Sequence, residues 1–176
     1  MIEIKFLEVA GIGSALKALR LPYGKDVRSI SFQSLKHLDN QLYYDTAIQF
    51  DDKDLELVKK LIYAGDEHAK VMRGVVCWLE INAPRYWWQE METYRVGHER
   101  LSSESTMHIQ GKGLSEDELV RMKDELKEGT MQKRIDMFSY QTLRRIYKQR
   151  KNHRLPHWRE FCKFLTTLPM SCWIVE

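Results

Sequence analysis

Leu79–His108 reads LEINAPRYWWQEMETYRVGHERLSSESTMH, and the rest of the chain is ordered around this stretch. Its first residues are apolar and strand-like, and Asn82-Ala83-Pro84 leads into a short aromatic helix that ends at Thr93-Tyr94-Arg95. Pro84 suits the first turn of that helix, with Asn82 as its cap. A polar loop follows, carrying Arg95, His98, Glu99, Arg100, Ser102, Ser103, Glu104, Ser105 and His108. A guanidinium among short hydroxyl and carboxylate side chains suits an anion, and a phosphorylated small molecule is the ligand this density points to. The same residues also suit a solvated loop that caps a helix.

Upstream, Val71–Ile81 reads as a buried strand with Val75, Cys77, Leu79 and Ile81 on one side. Asp51–Ala64 reads as an amphipathic helix with a Leu55, Val58, Leu61, Ile62 stripe, stopped by Gly65, and His68 lies in the connection. Residues 26–50 are ambiguous: Leu35, Leu38, Leu42 and Tyr43 fit a helix, while 46–50 fits a short strand. Met1–Val9 alternates as a half-buried strand, and a short helix capped by Ser14 follows the Gly11/Gly13 turn. That glycine pair lacks the spacing of a dinucleotide-binding loop.

Downstream, Ser115–Lys127 is expected as a helix with a capping box made by Ser115 and Glu118. Lys133–Arg150 is expected as a second helix with Ile135, Phe138, Leu143 and Ile146 inside, and Pro156 opens a last one, HWREFCKFL. Ser171–Val175 is read as a closing strand. The sum is an α/β (α+β) fold, a mixed sheet flanked by helices, in one domain over residues 1–176.

Composition bounds the function. The chain is 43% hydrophobic and 30% charged, which suits a soluble globular protein. No apolar run approaches the roughly 18 residues of a membrane span, and no signal-peptide layout begins the chain. Cys77, Cys162 and Cys172 are odd in number and lack CxxC spacing, so reduced thiols in a cytoplasm are expected, with no disulfide framework and no zinc site. The six histidines never fall into HExxH spacing, which again argues against a metal. Lys133–Arg159 holds nine basic residues opposed before Glu160 by Asp136 alone, a block that suits nucleotide phosphates or a nucleic acid, or the wet face of a helix and its following loop.

The order of elements resembles the flavin-dependent thymidylate synthases, the ThyX family. GDEHAKVMRGVVCWLEINAPRYWWQEMETYR is similar to that family's approach to its RHR motif, with Glu90–Arg95 where the family has Q/E-L-V-R-H-R. Ser103 follows Arg95 after seven residues, at the signature serine, and HWREFCKFL is similar to the family's WRxFLxLR helix. The resemblance covers roughly residues 1–170. It implies FAD as cofactor, held in part by His68, Arg85, Tyr94 and Arg95. It implies a pyrimidine nucleotide held by Arg95, Arg100, Ser103, Glu104 and Ser105, with Ser103 and Ser105 as the catalytic hydroxyls, in a homotetramer. The tryptophan-rich helix could then stack on a flavin or base, although aromatic residues at that density more often serve packing or a subunit interface.

The motif is altered. The triplet is Thr93-Tyr94-Arg95, Ser105 stands where the family keeps an arginine on the phosphate, and the arginine of the last helix falls near Leu168. Pairing Ser105 with the signature serine instead puts Met107 in the arginine's place. Two readings follow. One is a divergent flavin-dependent enzyme that methylates or hydroxymethylates a pyrimidine nucleotide, with little or no thymidylate synthesis. The other is a non-catalytic member binding a nucleotide, a nucleic acid or a protein. Such divergence suits an accessory, phage-borne gene.

Overall fold

The computed structural model describes residues 1–26, 30–38, 41–49 and 51–175. The chain divides into two compact units, Val9–Val76 on one hand and Met1–Glu8 with Cys77–Glu176 on the other.

In the Val9–Val76 unit, α1 (Ile12–Arg20) buries Ile12, Ala15, Leu16 and Leu19. It starts before Ser14, which therefore does not cap it: the cap position is Gly11, with φ 90. A Cβ at Gly11 would sit 1.9 Å from the Gly74 carbonyl oxygen, so close backbone approach demands glycine there. Residues 30–38 and 41–49 are extended and not helical. They form β2 (Ile30–Leu38) and β3 (Gln41–Gln49), paired antiparallel with Leu35 opposite Tyr44. Ile30, Phe32, Tyr43, Tyr44, Thr46 and Ile48 are types that fit a pleated surface, and this outweighs the leucine spacing that suggested a helix. Phe50, expected at the end of a strand, lies outside the described residues. The α2 helix (Asp52–Ala64) is capped by Asp51, whose Oδ1 accepts from the Lys53 N–H at 3.0 Å. The buried Asp54 accepts from Arg20 Nε at 2.6 Å.

The second unit is built on a four-stranded sheet, β1 (Glu3–Ala10), β4 (Val76–Pro84), β6 (Met131–Ser139) and β5 (His98–Ser103), in the order β1-β4-β6-β5. In β4 the alternation expected from the sequence places Cys77, Leu79, Ile81 and Ala83 fully inside. The strand runs through Pro84, so Asn82 is a strand residue whose Nδ2 donates to Glu3 Oε2, and it caps nothing. Helix α3 (Arg85–Met91) sends Trp87 and Trp88 into the core, where Trp87 meets Trp158 at 4.8 Å and Phe161 at 5.5 Å between ring centres. These rings are fully buried packing and offer no face to a flavin.

Two expectations fail together around β5 and β6. The polar loop is largely a strand, β5, followed by the one-turn α4 (Thr106–Ile109). The helix expected over Lys133–Arg150 is β6 as far as Ser139, and only then α6 (Tyr140–Arg150). Pairing with β6 satisfies the backbone of β5, which has no apolar alternation of its own. Helix α5 (Glu116–Asp124) carries the expected capping box, and α7 (Pro156–Leu165) buries Trp158, Phe161, Cys162 and Leu165. Residues 172–175 are a last helical turn, α8 (Cys172–Val175), not a strand.

Candidate functional site

The chemistry gathers on one face of the β5–β6 ribbon. The antiparallel register sets His98 opposite Phe138 and Arg100 opposite Asp136. An irregularity at Leu101 then shifts the pairing, so that Ser102 faces Ile135 and Ser103 faces Arg134. In a strand, side chains alternate between faces, so this one-residue bulge selects Ser103, and not Ser102, to share a face with Arg134, Asp136, Arg100 and His98.

Asp136 and His98 are both buried, and His98 Nε2 lies 2.6 Å from Asp136 Oδ2. Arg134, also buried, rests its guanidinium on the Trp88 ring at 4.4 Å. Its Nε and Nη2 donate to Gln132 Oε1 at 3.3 and 3.2 Å, and its Nη1 donates to Glu92 Oε1 at 2.5 Å. Arg100 Nη1 reaches that same oxygen at 3.3 Å. Burial holds the Arg134 pKa below its ordinary value, and repulsion from Arg100 adds to this against the attraction of Glu92 and Asp136.

The sequence-predicted residues fall into distinct groups. Ser103 and Arg100 are exposed on the ribbon face just described. Arg95 is exposed in the turn before β5 and makes no ion pair among the described residues. Ser105 caps α4, its Oγ accepting from the His108 N–H at 3.3 Å. Glu104 is a pin: its carboxylate accepts from the Lys133 N–H at 3.0 Å, and its own N–H donates to the Lys133 carbonyl at 2.9 Å. Arg85 is half-buried at the head of α3, with a buried Nε that has no partner among the described residues. Tyr94 is buried; its hydroxyl donates to Gln149 Oε1 at 2.9 Å and accepts from Arg150 Nε at 2.8 Å. His68 belongs to the other unit, exposed in the turn after α2.

Much of the basic 133–159 stretch is structural. Arg134 and Arg144 are buried, and Arg144 donates to the Trp173 carbonyl at 3.3 Å. Arg150 bonds Glu90 at 3.0 Å and lies over Trp158. Lys133, Lys148, Lys151, Arg154 and Arg159 remain exposed. Sequence reasoning did not give Glu92 or Asp136 a role, and it took Arg134 only as one of nine basic residues in the 133–159 block. One signal was available: Asp136 is the lone acid in a basic run, as expected of a charge retained for a specific partner. No helix among the described residues is long and apolar enough to cross a membrane.

The sequence matches no protein-family model and no curated protein. Solved structures do match. One is the flavin-dependent thymidylate synthase ThyX of Helicobacter pylori complexed with FAD and dUMP: 14% identity, 98% of this chain and 97% of that chain covered, TM-score 0.67. A second structure of ThyX from that organism with FAD and dUMP gives 12% identity, 98% and 96% coverage and a TM-score of 0.66. The UMP/dUMP methylase PolB of Streptomyces cacaoi, bound with 5-Br dUMP, gives 10%, 95% and 89%, and 0.63. At such identities the likeness is one of fold, and it runs the length of the chain: this protein has the fold of the flavin-dependent thymidylate synthases.

Proposed function

We propose that this chain is a divergent ThyX-like protein, one functional domain over residues 1–176, that binds a pyrimidine nucleotide by its phosphate and makes thymidylate from dUMP weakly or not at all. The observation that carries the reading is the full-length fold shared with proteins solved with dUMP or its bromo analogue. Arg95, exposed and without an ion pair among the described residues, stands at the last arginine of the altered motif and is the first anchor. Arg100 and Ser103, on the ribbon face, complete the seat, with Ser103 the nearer match to the signature serine and Ser105 the alternative. Glu104 fixes the turn that carries them.

The loss of activity follows from what replaces the motif. Tyr94 occupies the position of the family's histidine, and both its ring and its hydroxyl are committed within the fold. Catalysis requires binding energy at the reacting centre, so missing phosphate anchors displace the base as well as weakening it. The cofactor the fold implies is FAD, which when bound supplies the hydride. Arg85 fits it, since its buried Nε is a donor lacking an acceptor; Tyr94 does not, and His68 is exposed and accessible. Three free cysteines fit a reducing, cytoplasmic setting.

The test joins three measurements on the purified protein: flavin absorbance, calorimetric titration with dUMP against deoxyuridine, and tritium release from labelled dUMP with FAD, reduced nicotinamide and methylenetetrahydrofolate. dUMP binding well above that of deoxyuridine, with no tritium release, is expected. Absence of dUMP binding overturns the nucleotide reading, and turnover near about 1 per second overturns the inactive one.

A further inference from the structure

We propose that Glu92 is an exchangeable counter-ion: the guanidiniums of Arg134 and Arg100, which share its carboxylate oxygen, are the seat of a ligand's phosphate group, and Glu92 moves into solvent when that group arrives. The proposal rests on the nucleotide reading for the ligand's identity, not for the anion seat itself.

The geometry separates a fixed receptor from a mobile occupant. Arg134 is buried on Trp88, and two of its nitrogens are held by Gln132 Oε1, so its position is set whether or not Glu92 is there. Only Nη1 is committed to Glu92. The Glu92 side chain is 45% exposed against 10% for Arg134, and Glu92 is the C-cap of α3, its N–H bonded to the Trp88 carbonyl at 3.0 Å, so only its side chain has to swing away. Arg100 is 50% exposed and approaches the same oxygen more loosely. Two guanidiniums share that one carboxylate, and Asp136, the other acid on this face, has one oxygen committed to His98. A phosphate monoester carries about −1.5 to −2 near neutral pH and offers three oxygens, so it satisfies both guanidiniums better than one carboxylate does. Ser103, opposite Arg134 across the ladder, adds a hydroxyl donor on the same face. Such a seat restores two guanidinium contacts to a chain whose motif has lost them.

Glu92→Gln, Arg100→Gln and the wild type are titrated by calorimetry with dUMP, deoxyuridine and inorganic phosphate, and thermal melts show that each variant is folded. Glu92→Gln is expected to bind dUMP and phosphate about tenfold more tightly, because the competing charge is gone, and Arg100→Gln about tenfold more weakly. Deoxyuridine binding is expected to stay unchanged in both. If wild type prefers dUMP to deoxyuridine while neither variant alters its affinity, the exchange is overturned and the nucleotide reading stands with its phosphate elsewhere. If phosphate binding tightens in Glu92→Gln without any dUMP binding, the seat stands and serves another phosphorylated ligand. If neither probe binds wild type or Glu92→Gln, both ideas fall.

Discussion

His98 and Asp136 form a buried pair across the β5–β6 ladder: Nε2 and Oδ2 are 2.6 Å apart, and the imidazole lies flat on Phe138 with ring centres 4.4 Å apart. One carboxylate oxygen of Asp136 meets the imidazole, while Oδ1 is buried without a hydrogen-bond partner among the described residues. Each member therefore depends on the other to be tolerated inside the protein.

Removing one partner is costlier than removing both. Asp136→Leu or His98→Leu alone is expected to cost about 3–5 kcal/mol, while the double variant loses clearly less than their sum. Denaturant unfolding of the four proteins measures this, and strictly additive losses would show that the pair is not coupled.

Arg95→Ala separates binding from folding. The side chain is exposed and makes no ion pair among the described residues, so stability is expected to move by no more than about 0.5 kcal/mol. Affinity for dUMP is expected to drop roughly tenfold or more, the worth of a charge-assisted phosphate contact. Paired melts and titrations read both effects on one sample.

Burial raises the thiols of Cys77 and Cys162 from an ordinary 9.0 to about 12, and raises the Tyr140 hydroxyl as well, with nearby Cys77 and Cys172 adding to it. These groups stay protonated in the fold but ionise once exposed. Stability is therefore full below about pH 9 and declines as pH rises towards 12. A chromophoric thiol reagent is expected to label at most one cysteine in the native protein and all three in denaturant. Rapid native labelling of Cys77 would contradict this burial.

Self-association is the fourth expectation. Leu101, Met107, Ile109 and Val120 are exposed along the segment from β5 to α5, more large apolar surface than so short a segment usually leaves in water. Light scattering is expected to give a mass about four times the 21.0 kDa chain, and a single species at the chain mass excludes the tetramer.

The parts of the fold legible in the sequence are those where one face is uniformly apolar or a cap is local. Asp51 and Ser115 announce α2 and α5 through neighbours within three residues, and β4 alternates without exception at Cys77, Leu79, Ile81 and Ala83. β6 was illegible because its buried face carries Arg134 and Asp136, charges that break the apolar alternation and leave Ile135 and Phe138 at a helix-like spacing. Its partner β5 looked like a loop because its inner side chains are polar: His98 finds its partner Asp136 on β6, 38 residues on, and Arg100 reaches back to Glu92 just past α3. The site was half legible for the same reason. Arg95, Arg100 and Ser103 stand out in one short stretch, whereas Glu92, Arg134 and Asp136 acquire meaning only once the strands pair.

The extra residue at Leu101 can be gained or lost without changing which side chains of β5 and β6 face one another. Excising Leu101 would regularise the ladder and leave Ser102 opposite Ile135 and Ser103 opposite Arg134, each on its present face, whereas pairing Leu101 into the ladder would bring Ser102 beside Arg134 and turn Ser103 to the far side. Distances counted in residues from Arg95 therefore mislead for anything beyond Arg100. A relative lacking that residue would keep its working serine one place earlier, and an alignment drawn without a gap at 101 would pair the wrong ones.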